Sequence, residues 1–311
     1  MASTGPDRDR DRDRDRGPLL DSNVHLWDQA ENPVFWLSDR TMLRHVIGDY
    51  DDLPDRYTLD DYVRDTAGRE VSGVIWSDAG AADPIAAAAW VTDQQDENGL
   101  VKGLVTLGDP ASPGFAAFLR RCHEVPLITS VRVRLAGALA ATAASGDGGA
   151  AGDAHLVRTH LALLAESGLA ATVEATGDQL GAVAAIVEQH PGLRVVVDHF
   201  GWPTDLGTSG RREHLARLAR IAQHPHTATR IDALGTVFGN WMPGQLSSWL
   251  PAVVDTFGPD RCMLGSDLPI EHLRSGFDAV WEAYETLFSD LTAAERRMLF
   301  HGTAQSWYTP A

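Results

Sequence analysis

Eight short apolar runs recur along the chain, separated by stretches with a helical pattern. The runs are rich in Val, Ile and Leu, and most of them end on a polar residue or a glycine. Such runs are typical of buried strands. They cover 17–28, 70–80, 100–109, 128–135, 169–175, 193–201, 228–235 and 261–267. Eight strand–helix units in succession predict the α/β class and, most simply, a (β/α)8 TIM barrel.

The intervening segments carry apolar residues at three- and four-residue spacing, which is typical of amphipathic helices. Two of them begin with capping signals, at Thr58 and at Asp83–Pro84. An open doubly wound sheet is the rival architecture, but it usually has a glycine-rich phosphate loop after its first strand. The first run ends Asn-Val-His-Leu-Trp-Asp, without such glycines. The helices are expected within 59–70, 83–97, 114–124, 155–167, 178–190, 212–224 and 245–257.

The length of 311 residues fits one barrel, because this fold takes about 250 residues or more with insertions. A strict Asp–Arg alternation over 7–16 has nothing apolar to bury, and we expect residues 1–17 to be a disordered tail. Residues 18–311 are predicted to form a single domain. The Gly/Ala/Ser-rich segment 144–154 is expected to be a flexible excursion after the fourth strand.

The formal net charge of −17 argues against nucleic-acid and membrane-surface partners, because both are anionic. No apolar run approaches about 20 residues, and the charged N-terminal stretch does not resemble a signal peptide. Cys122 and Cys262 lie far apart without a Cys-x-x-Cys motif, which excludes a disulfide framework and fits a reducing compartment. A cytoplasmic location is therefore expected.

Polar residues fall where the predicted strands end, and in a barrel the chemistry lies at that edge. Alternation places Asn23 with His25 on one side of their strand and Arg132 with Arg134 on one side of theirs. Asp198 and His199 should point apart, which favours a structural role for Asp198. Taken alone, each residue also has a structural interpretation, such as a core hydrogen bond, a helix cap or a salt bridge. The strand-end residues are Asn23, His25, Arg132, Arg134, Glu174, Asp198, His199 and Asp267.

Three motifs carry a family resemblance: Asp-Ser-Asn-Val-His-Leu-Trp-Asp from 21, Val-Asp-His-Phe-Gly-Trp-Pro from 197 and Met-Leu-Gly-Ser-Asp-Leu-Pro from 263. Together they resemble the strand-one, strand-six and strand-eight motifs of the amidohydrolase-related TIM-barrel hydrolases. The subgroup is that of 2-pyrone-4,6-dicarboxylate lactonase and the sugar-acid lactonases, and the resemblance runs from about Leu19 to Tyr308. It implies that Asp267 is the general base, that His199 contacts substrate or metal, and that Asn23 and His25 replace a His-x-His pair.

The chain departs from the family pattern at residues that bear on a metal. The family has a histidine at the Asn23 position, and an amide oxygen is a poor zinc ligand compared with imidazole. Relatives show Lys-x-Ser-Gly on strand seven and asparagine at the Thr303 position. A carbamylated lysine is not expected, since Lys102 lies early in its strand. A mononuclear zinc site on His25, His199, Asp267 and Glu174 stays open, and the expectation is that no metal is required.

Without a metal, Asp267 acts only as a general base, which contributes roughly 10²- to 10⁴-fold. His25, His199 and Arg132 then polarise the carbonyl, and such donors contribute about 10²- to 10³-fold each. That sum suits hydrolysis of a lactone or a similar activated ester. Arg134 with Arg132 indicates an anionic or polyhydroxylated small-molecule substrate. Asn23, Glu174, Trp27 and Trp202 are expected to complete the substrate site.

Two other functions remain open at this stage. One is a metal-dependent nonoxidative decarboxylase of the same superfamily. The other is a non-catalytic binding relative, which the replacement at Asn23 and the missing strand-seven lysine would suggest. Retention of Asp267 and His199 argues for catalysis, because a binder needs no base. The sequence leaves the substrate's identity and homo-oligomerisation undecided.

Overall fold

The computed structural model describes residues 17–95, 99–135 and 151–310. Eight parallel strands of this part pair in chain order, from first to eighth. The last strand returns to the first through a bridge between Val24 and Leu268. This arrangement confirms the (β/α)8 TIM barrel. The strands are β1 (Leu19–Val24), β2 (Val71–Ser77), β3 (Val101–Leu107), β4 (Ile128–Arg134), β5 (Ala170–Glu174), β6 (Val195–Val197), β7 (Thr227–Ile231) and β8 (Cys262–Leu264).

Helices alternate with the strands as the apolar spacing predicts. Asp83 caps the second helix by accepting from the backbone N–H groups of Ile85 and Ala86, and Pro84 fills its first turn. The main helices are α1 (Leu59–Asp65), α2 (Pro84–Asp93), α3 (Phe115–Cys122), α4 (Ala151–Glu166), α5 (Leu180–Gln189), α6 (Thr208–Ala222), α7 (Pro243–Phe257) and α8 (Phe277–Leu287). Shorter helical segments are Phe35–Ser38, Arg44–Ile47, Asp198–Gly201, Leu234–Phe238, Ile270–Leu273, Ala293–Arg297, Met298–Gly302 and Thr303–Tyr308.

The barrel interior is apolar at the end where the strands begin. The helix Thr303–Tyr308 covers this end, and its Trp307 and Tyr308 belong to the same buried cluster. A side-chain carbon at Gly103 would lie 1.8 Å from the Tyr308 carbonyl oxygen, so only glycine admits this close approach. The cluster contains Leu20, Ile75, Val105, Val196, Ala228, Met263, Ala304, Trp307 and Tyr308. The polar strand-end residues lie at the opposite end of the barrel, which leaves that end for chemistry.

The long segment after β1 is folded against the barrel. Trp27–Asp28 pairs with Arg56–Tyr57 in a two-stranded antiparallel ribbon. Trp27 and Trp36 are buried, in edge-to-face contact at 5.9 Å, and the Trp27 indole N–H donates to the Pro54 carbonyl. Trp27, predicted to contact substrate, is thus buried in the packing of this segment.

Two sequence predictions lie at the borders of the described residues. The Asp–Arg stretch 7–16 falls outside them. Residues 144–150 of the expected excursion also fall outside, but 151–154 begin α4, so the helix starts earlier than predicted. No helix in the described part of the chain is both long and apolar enough to cross a membrane.

Candidate active site

Asp267 lies at the seam where β8 meets β1. Its Oδ1 accepts a hydrogen bond from Nδ2 of Asn23 at 3.0 Å and lies 3.1 Å from Nε2 of His25. No hydrogen bond from the described residues reaches Oδ2. The seam itself is held by backbone bonds from Asp267 N–H to the Asn23 carbonyl and from His25 N–H to the Leu268 carbonyl. Asp267 therefore keeps one oxygen anchored and one free, as a base requires.

The ring of His25 has a defined donor pattern. Its Nδ1 lies 2.7 Å from the carbonyl oxygen of Ser77, which can only accept, so Nδ1 carries a proton. Nε2 then faces the Asp267 carboxylate at 3.1 Å. His25 accordingly contacts Asp267 and the β2 end with its two ring nitrogens, and its geometry suits orientation of the base.

A buried carboxyl beneath the seam fixes the backbone around the base. Asp21 accepts hydrogen bonds from the N–H of Ser266 at 2.8 Å, the N–H of Asn23 at 3.3 Å and the hydroxyl of Tyr62 at 3.0 Å. Burial raises the pKa of Asp21 to about 6 against these hydrogen bonds. Asp267 has a left-handed backbone, with φ of 62°, which is unusual for a non-glycine residue. The anchored Ser266 supports this strained position.

His199 lies between a carboxylate and a guanidinium. Nδ1 is 2.7 Å from Oδ1 of Asp232, and Nε2 is 2.9 Å from Nη2 of Arg132. Contrary to the alternation argument, Asp198 lies on the same side, with its Oδ2 3.6 Å from the His199 ring. The physical reason is that β6 ends at Val197 and the chain then turns through left-handed residues, with φ of 47° at His199. Strand alternation does not extend into that turn.

Two influences act on the charge of His199. Guanidinium nitrogens only donate, so the contact with Arg132 suits a neutral ring whose proton lies on Nδ1. Burial also lowers the pKa, but the carboxylates of Asp198 and Asp232 outweigh it and raise the pKa of His199 to about 9. The two influences thus oppose each other. The carboxylates favour a protonated ring, whereas the N–H donor of Arg132 favours a lone pair on Nε2.

Arg132 and Arg134 lie two residues apart on one face of β4, and both contact the same carboxylate. Glu174 Oε2 lies 3.1 Å from Arg132 Nη2 and 3.0 Å from Arg134 Nε. Nε of Arg132 also lies 3.0 Å from Asp198. Burial raises the pKa of Glu174, but the two arginines hold it below its usual range. The expected arginine pair and Glu174 thus meet as one ion-pair cluster at the end of the barrel where the strands terminate, which is its mouth.

Sequence reasoning missed two residues of β7 and its end. Arg230 is fully buried and binds Asp198 with Nε and Nη2, at 2.8 and 2.5 Å from Oδ1, while its Nη1 donates to Ser77 Oγ. Asp232 orients His199. The available signal was a charged pair in the pattern Thr-Arg-Ile-Asp, because a charge inside an apolar strand must be paired. Their partners on β6 and its end could not be read from the sequence.

A glycine brings the two groups of side chains together. A side-chain carbon at Gly265 would lie 2.9 Å from Cβ of Asn23 and 3.2 Å from Cβ of Asp232. The Asn23–His25–Asp267 group and the Asp232–His199–Arg132 group are therefore neighbours across β8. Trp202, the other predicted aromatic, is half-buried and meets the His199 ring edge-to-face at 4.9 Å. Trp27, the first predicted aromatic, is buried against Trp36.

Asp198, His199 and Asp232 are residue types that could hold a metal ion, with one ligand atom each within 4.8 Å of the others. Burial raises the pKa of Asp198, but Arg230, His199 and Arg132 outweigh it and hold that pKa far below its usual range. Both arginines contact the candidate ligands, since Arg230 binds Oδ1 of Asp198 and Nη2 of Arg132 lies 2.9 Å from Nε2 of His199. Like charges at such distances repel strongly in a buried site. In this arrangement the two arginines therefore compete with a metal ion for the Asp198, His199 and Asp232 donor atoms.

The chain is similar in sequence to a known protein family and to individual relatives. A family model described as Amidohydrolase matches residues 20–309. An uncharacterized protein, y4mH, from Sinorhizobium fredii is 24% identical over 93% of this chain and 98% of its own length. An L-fucono-1,5-lactonase from Burkholderia multivorans is 33% identical over 142 residues, which are 42% of this chain and 48% of the lactonase. The similarity to this lactonase thus covers less than half of either protein.

Solved structures share the fold at lower identity. An amidohydrolase from Burkholderia multivorans with bound zinc has a TM-score of 0.74 and 23% identity, covering 94% of this chain and 99% of its own. A putative 2-pyrone-4,6-dicarboxylic acid hydrolase from Pseudomonas putida has a TM-score of 0.67 and 19% identity, covering 94% of this chain and 97% of its own. A manganese-bound 5-carboxyvanillate decarboxylase from Novosphingobium aromaticivorans has a TM-score of 0.61 and 12% identity, covering 94% of this chain and 96% of its own. The family match over 20–309 confirms the resemblance in the strand-end motifs: the chain belongs to the amidohydrolase family.

Proposed function

We propose that this chain is a hydrolase that opens a lactone or a similar activated ester, with Asp267 as the general base. The observation that carries the proposal is the asymmetric environment of the carboxylate. Oδ1 is held by Asn23 and His25, while Oδ2 takes no hydrogen bond from the described residues and can accept a proton from an attacking water. A positioned base of this kind contributes roughly 10²- to 10⁴-fold.

The proposed roles of the other residues follow from their contacts. Arg132 is a fixed cation that polarises the substrate carbonyl and stabilises the oxyanion that forms. His25 orients Asp267, and Asp232 fixes the ring of His199 beside Arg132. Asp267, which then holds the proton taken from the water, returns it to the leaving alkoxide as the C–O bond breaks, and the carboxylate is regenerated. Activated esters suit this site, because a general base acting on water is a weaker source of nucleophile than a free hydroxide ion. A carbonyl that is already reactive is therefore the substrate it can hydrolyse.

We further propose that turnover requires no metal. The support is the pair of guanidinium groups on Asp198 and His199, which already supply positive charge to residues that a metal ion would need as ligands. The segment of 33% identity to an L-fucono-1,5-lactonase favours a lactone over other esters.

The test is hydrolysis of a lactone panel by the wild-type protein, Asp267→Asn and the control Asp260→Asn. Asp260 is an exposed acid just before β8, so the control makes the same chemical change without touching the site. We expect kcat to fall about 10²- to 10⁴-fold in Asp267→Asn and to stay unchanged in Asp260→Asn. An Asp267→Asn protein with the wild-type rate on the best lactone would contradict the assignment of the base.

A metal-dependent decarboxylase is the second candidate, and the Asp198–His199–Asp232 group is the observation that favours it. It predicts carbon dioxide release from a carboxylated aromatic substrate, dependent on added zinc or manganese. Carbon dioxide evolution without turnover of any lactone would select this function over hydrolysis.

A further inference from the structure

The ion-pair cluster of β4 and β5 follows from strand register. Arg134 and Glu174 are direct partners across the two strands. Arg132 lies two residues earlier on the same face of β4, opposite Thr172. Side chains at such positions stand about 5 Å apart and interact directly. Glu174 Oε2 therefore receives both arginines, at 3.1 and 3.0 Å. The contacts of this cluster that the structure describes therefore come from the barrel strands themselves.

Glu174 fills the position that a substrate carboxylate would take. Two guanidinium groups converging on one carboxylate are the arrangement that recognises an anionic ligand. Here the protein supplies that carboxylate, and Asp198 adds a second one 3.0 Å from Arg132. Asp198 also binds Arg230, which lies 3.7 Å from Asp232, so three guanidinium groups meet the three carboxylates of Glu174, Asp198 and Asp232 and their charges are matched. A carboxylated substrate would approach Glu174 and be repelled.

The outer part of the cluster is accessible and polar. The side chains of Arg134 and Glu174 are 35% and 29% exposed, unlike the buried pairs deeper in the barrel. Oε1 of Glu174 takes no hydrogen bond from the residues described. Phe35, with 48% exposure, lies with Arg134 beside Gly80, where a side-chain carbon would be 3.3 Å from the Phe35 ring and 3.8 Å from Arg134 Nη1. A ring bearing hydroxyl groups matches these features, because hydroxyls donate to a carboxylate and C–H faces pack on an aromatic ring.

We propose that Glu174 is a specificity-determining residue that selects neutral, polyhydroxylated lactones and rejects carboxylated ones. Its Oε2 occupies the anion position between Arg132 and Arg134, and its Oε1 accepts a hydrogen bond from a substrate hydroxyl. This inference rests on the proposed lactone hydrolysis and names the substrate class for that site.

The test compares two lactones of equal ring size, a neutral 1,5-aldonolactone and its analogue with a carboxylate in place of the terminal hydroxymethyl group. The wild-type protein should have a higher kcat/KM on the neutral lactone. Glu174→Gln keeps the shape but frees both arginines. It should lower kcat/KM on the neutral lactone and raise it on the carboxylated one, each by about 10-fold, the scale of a charge-assisted hydrogen bond.

The control variant is Glu188→Gln, which makes the same change in the exposed Arg220–Glu188 pair of the barrel's outer surface and should leave both values unchanged. A second variant, Arg134→Met, removes one partner of Glu174 and should deepen the rejection of the carboxylated lactone by about 10-fold. It keeps the proposal testable if Glu174→Gln does not fold.

Failure of this inference and failure of hydrolysis are separable. Binding of both lactones is measured by calorimetry on the Asp267→Asn protein, which reads charge preference without turnover. A preference for the carboxylated lactone, equal binding of the two, or binding of neither overturns the role of Glu174. Equal loss on both lactones in Glu174→Gln also overturns it. If the neutral lactone binds preferentially but the wild-type protein does not turn it over, the proposed hydrolase function is wrong while the specificity role of Glu174 is supported.

Discussion

Arg230 forms a buried ion pair with Asp198 inside the barrel. Its Nη2 lies 2.5 Å and its Nε 2.8 Å from Oδ1 of Asp198, and both side chains are fully buried. The guanidinium also donates to the Ser22 carbonyl and to Ser77 Oγ, so a β7 side chain ties together β1, β2 and the end of β6. This contact fixes Asp198, and through it Arg132, beneath the mouth.

Replacing Arg230 should strongly destabilise the fold. Arg230→Met leaves the Asp198 charge buried without its bidentate partner, and we expect the free energy of unfolding to fall by about 3–5 kcal/mol. The matched control is Arg134→Met, whose half-exposed ion pair with Glu174 should cost about 1 kcal/mol or less. Denaturant unfolding at neutral pH measures both. Equal losses in the two variants would show that Arg230 does not stabilise the barrel as an internal cation.

Glu271 should make stability depend on pH. It is buried and accepts hydrogen bonds from Gly235 N–H, Trp241 Nε1 and Ser275 Oγ, yet burial outweighs them and raises its pKa from 4.5 to about 7. The protonated form is thus favoured in the fold. Its contribution is complete below pH 4.5 and is lost as pH rises through about 7.

The measurement is the difference in unfolding free energy between wild type and Glu271→Gln from pH 4.5 to 8. The glutamine cannot ionise, so the wild type should lose about 3 kcal/mol relative to it over this range. The subtraction removes the titration of other groups. A difference that stays constant with pH, or that grows in favour of the wild type, contradicts the prediction.

Gly265 should be intolerant of a side chain. A methyl group there would lie 2.9 Å from Cβ of Asn23, so Gly265→Ala must displace the amide that holds Asp267. We expect kcat on the best lactone to fall and the unfolding free energy to drop by about 1–3 kcal/mol. Gly181→Ala is the control, because that helical position has open space and alanine favours helix by up to about 1 kcal/mol. Wild-type kcat in Gly265→Ala would show that the seam has room to adjust.

Metal removal should leave the protein unchanged. Two guanidinium groups already occupy Asp198 and His199, so dialysis against a chelator is expected to change neither kcat nor Tm, and purified protein should carry far less than one metal ion per chain. Elemental analysis and a thermal melt with and without added zinc check this. A rise in Tm with zinc at one ion per chain would assign the site to a metal instead.

The barrel could be predicted because its signal is local. Apolar runs such as Leu193–Val197 and amphipathic segments such as 245–257 show their period in the sequence, and eight repeats leave few architectures. The polar strand ends were found for the same reason, and Asn23, His25 and Asp267 meet as predicted. The packing of Trp27 could not be predicted, since an aromatic in a loop suits both a core and a pocket.

The sequence by itself determined the architecture and the edge of the barrel that carries polar groups, because hydrophobic period and strand-end position are properties of neighbouring residues. Only the tertiary structure decided how those groups pair. Arg230 finds Asp198 across 32 positions, Asp232 finds His199 across 33, and Glu174 takes both arginines of β4. These contacts depend on which strands are adjacent and on the left-handed turn at His199, and no local pattern encodes either. Charge pairing through space therefore decided how charge is distributed at the mouth of the barrel.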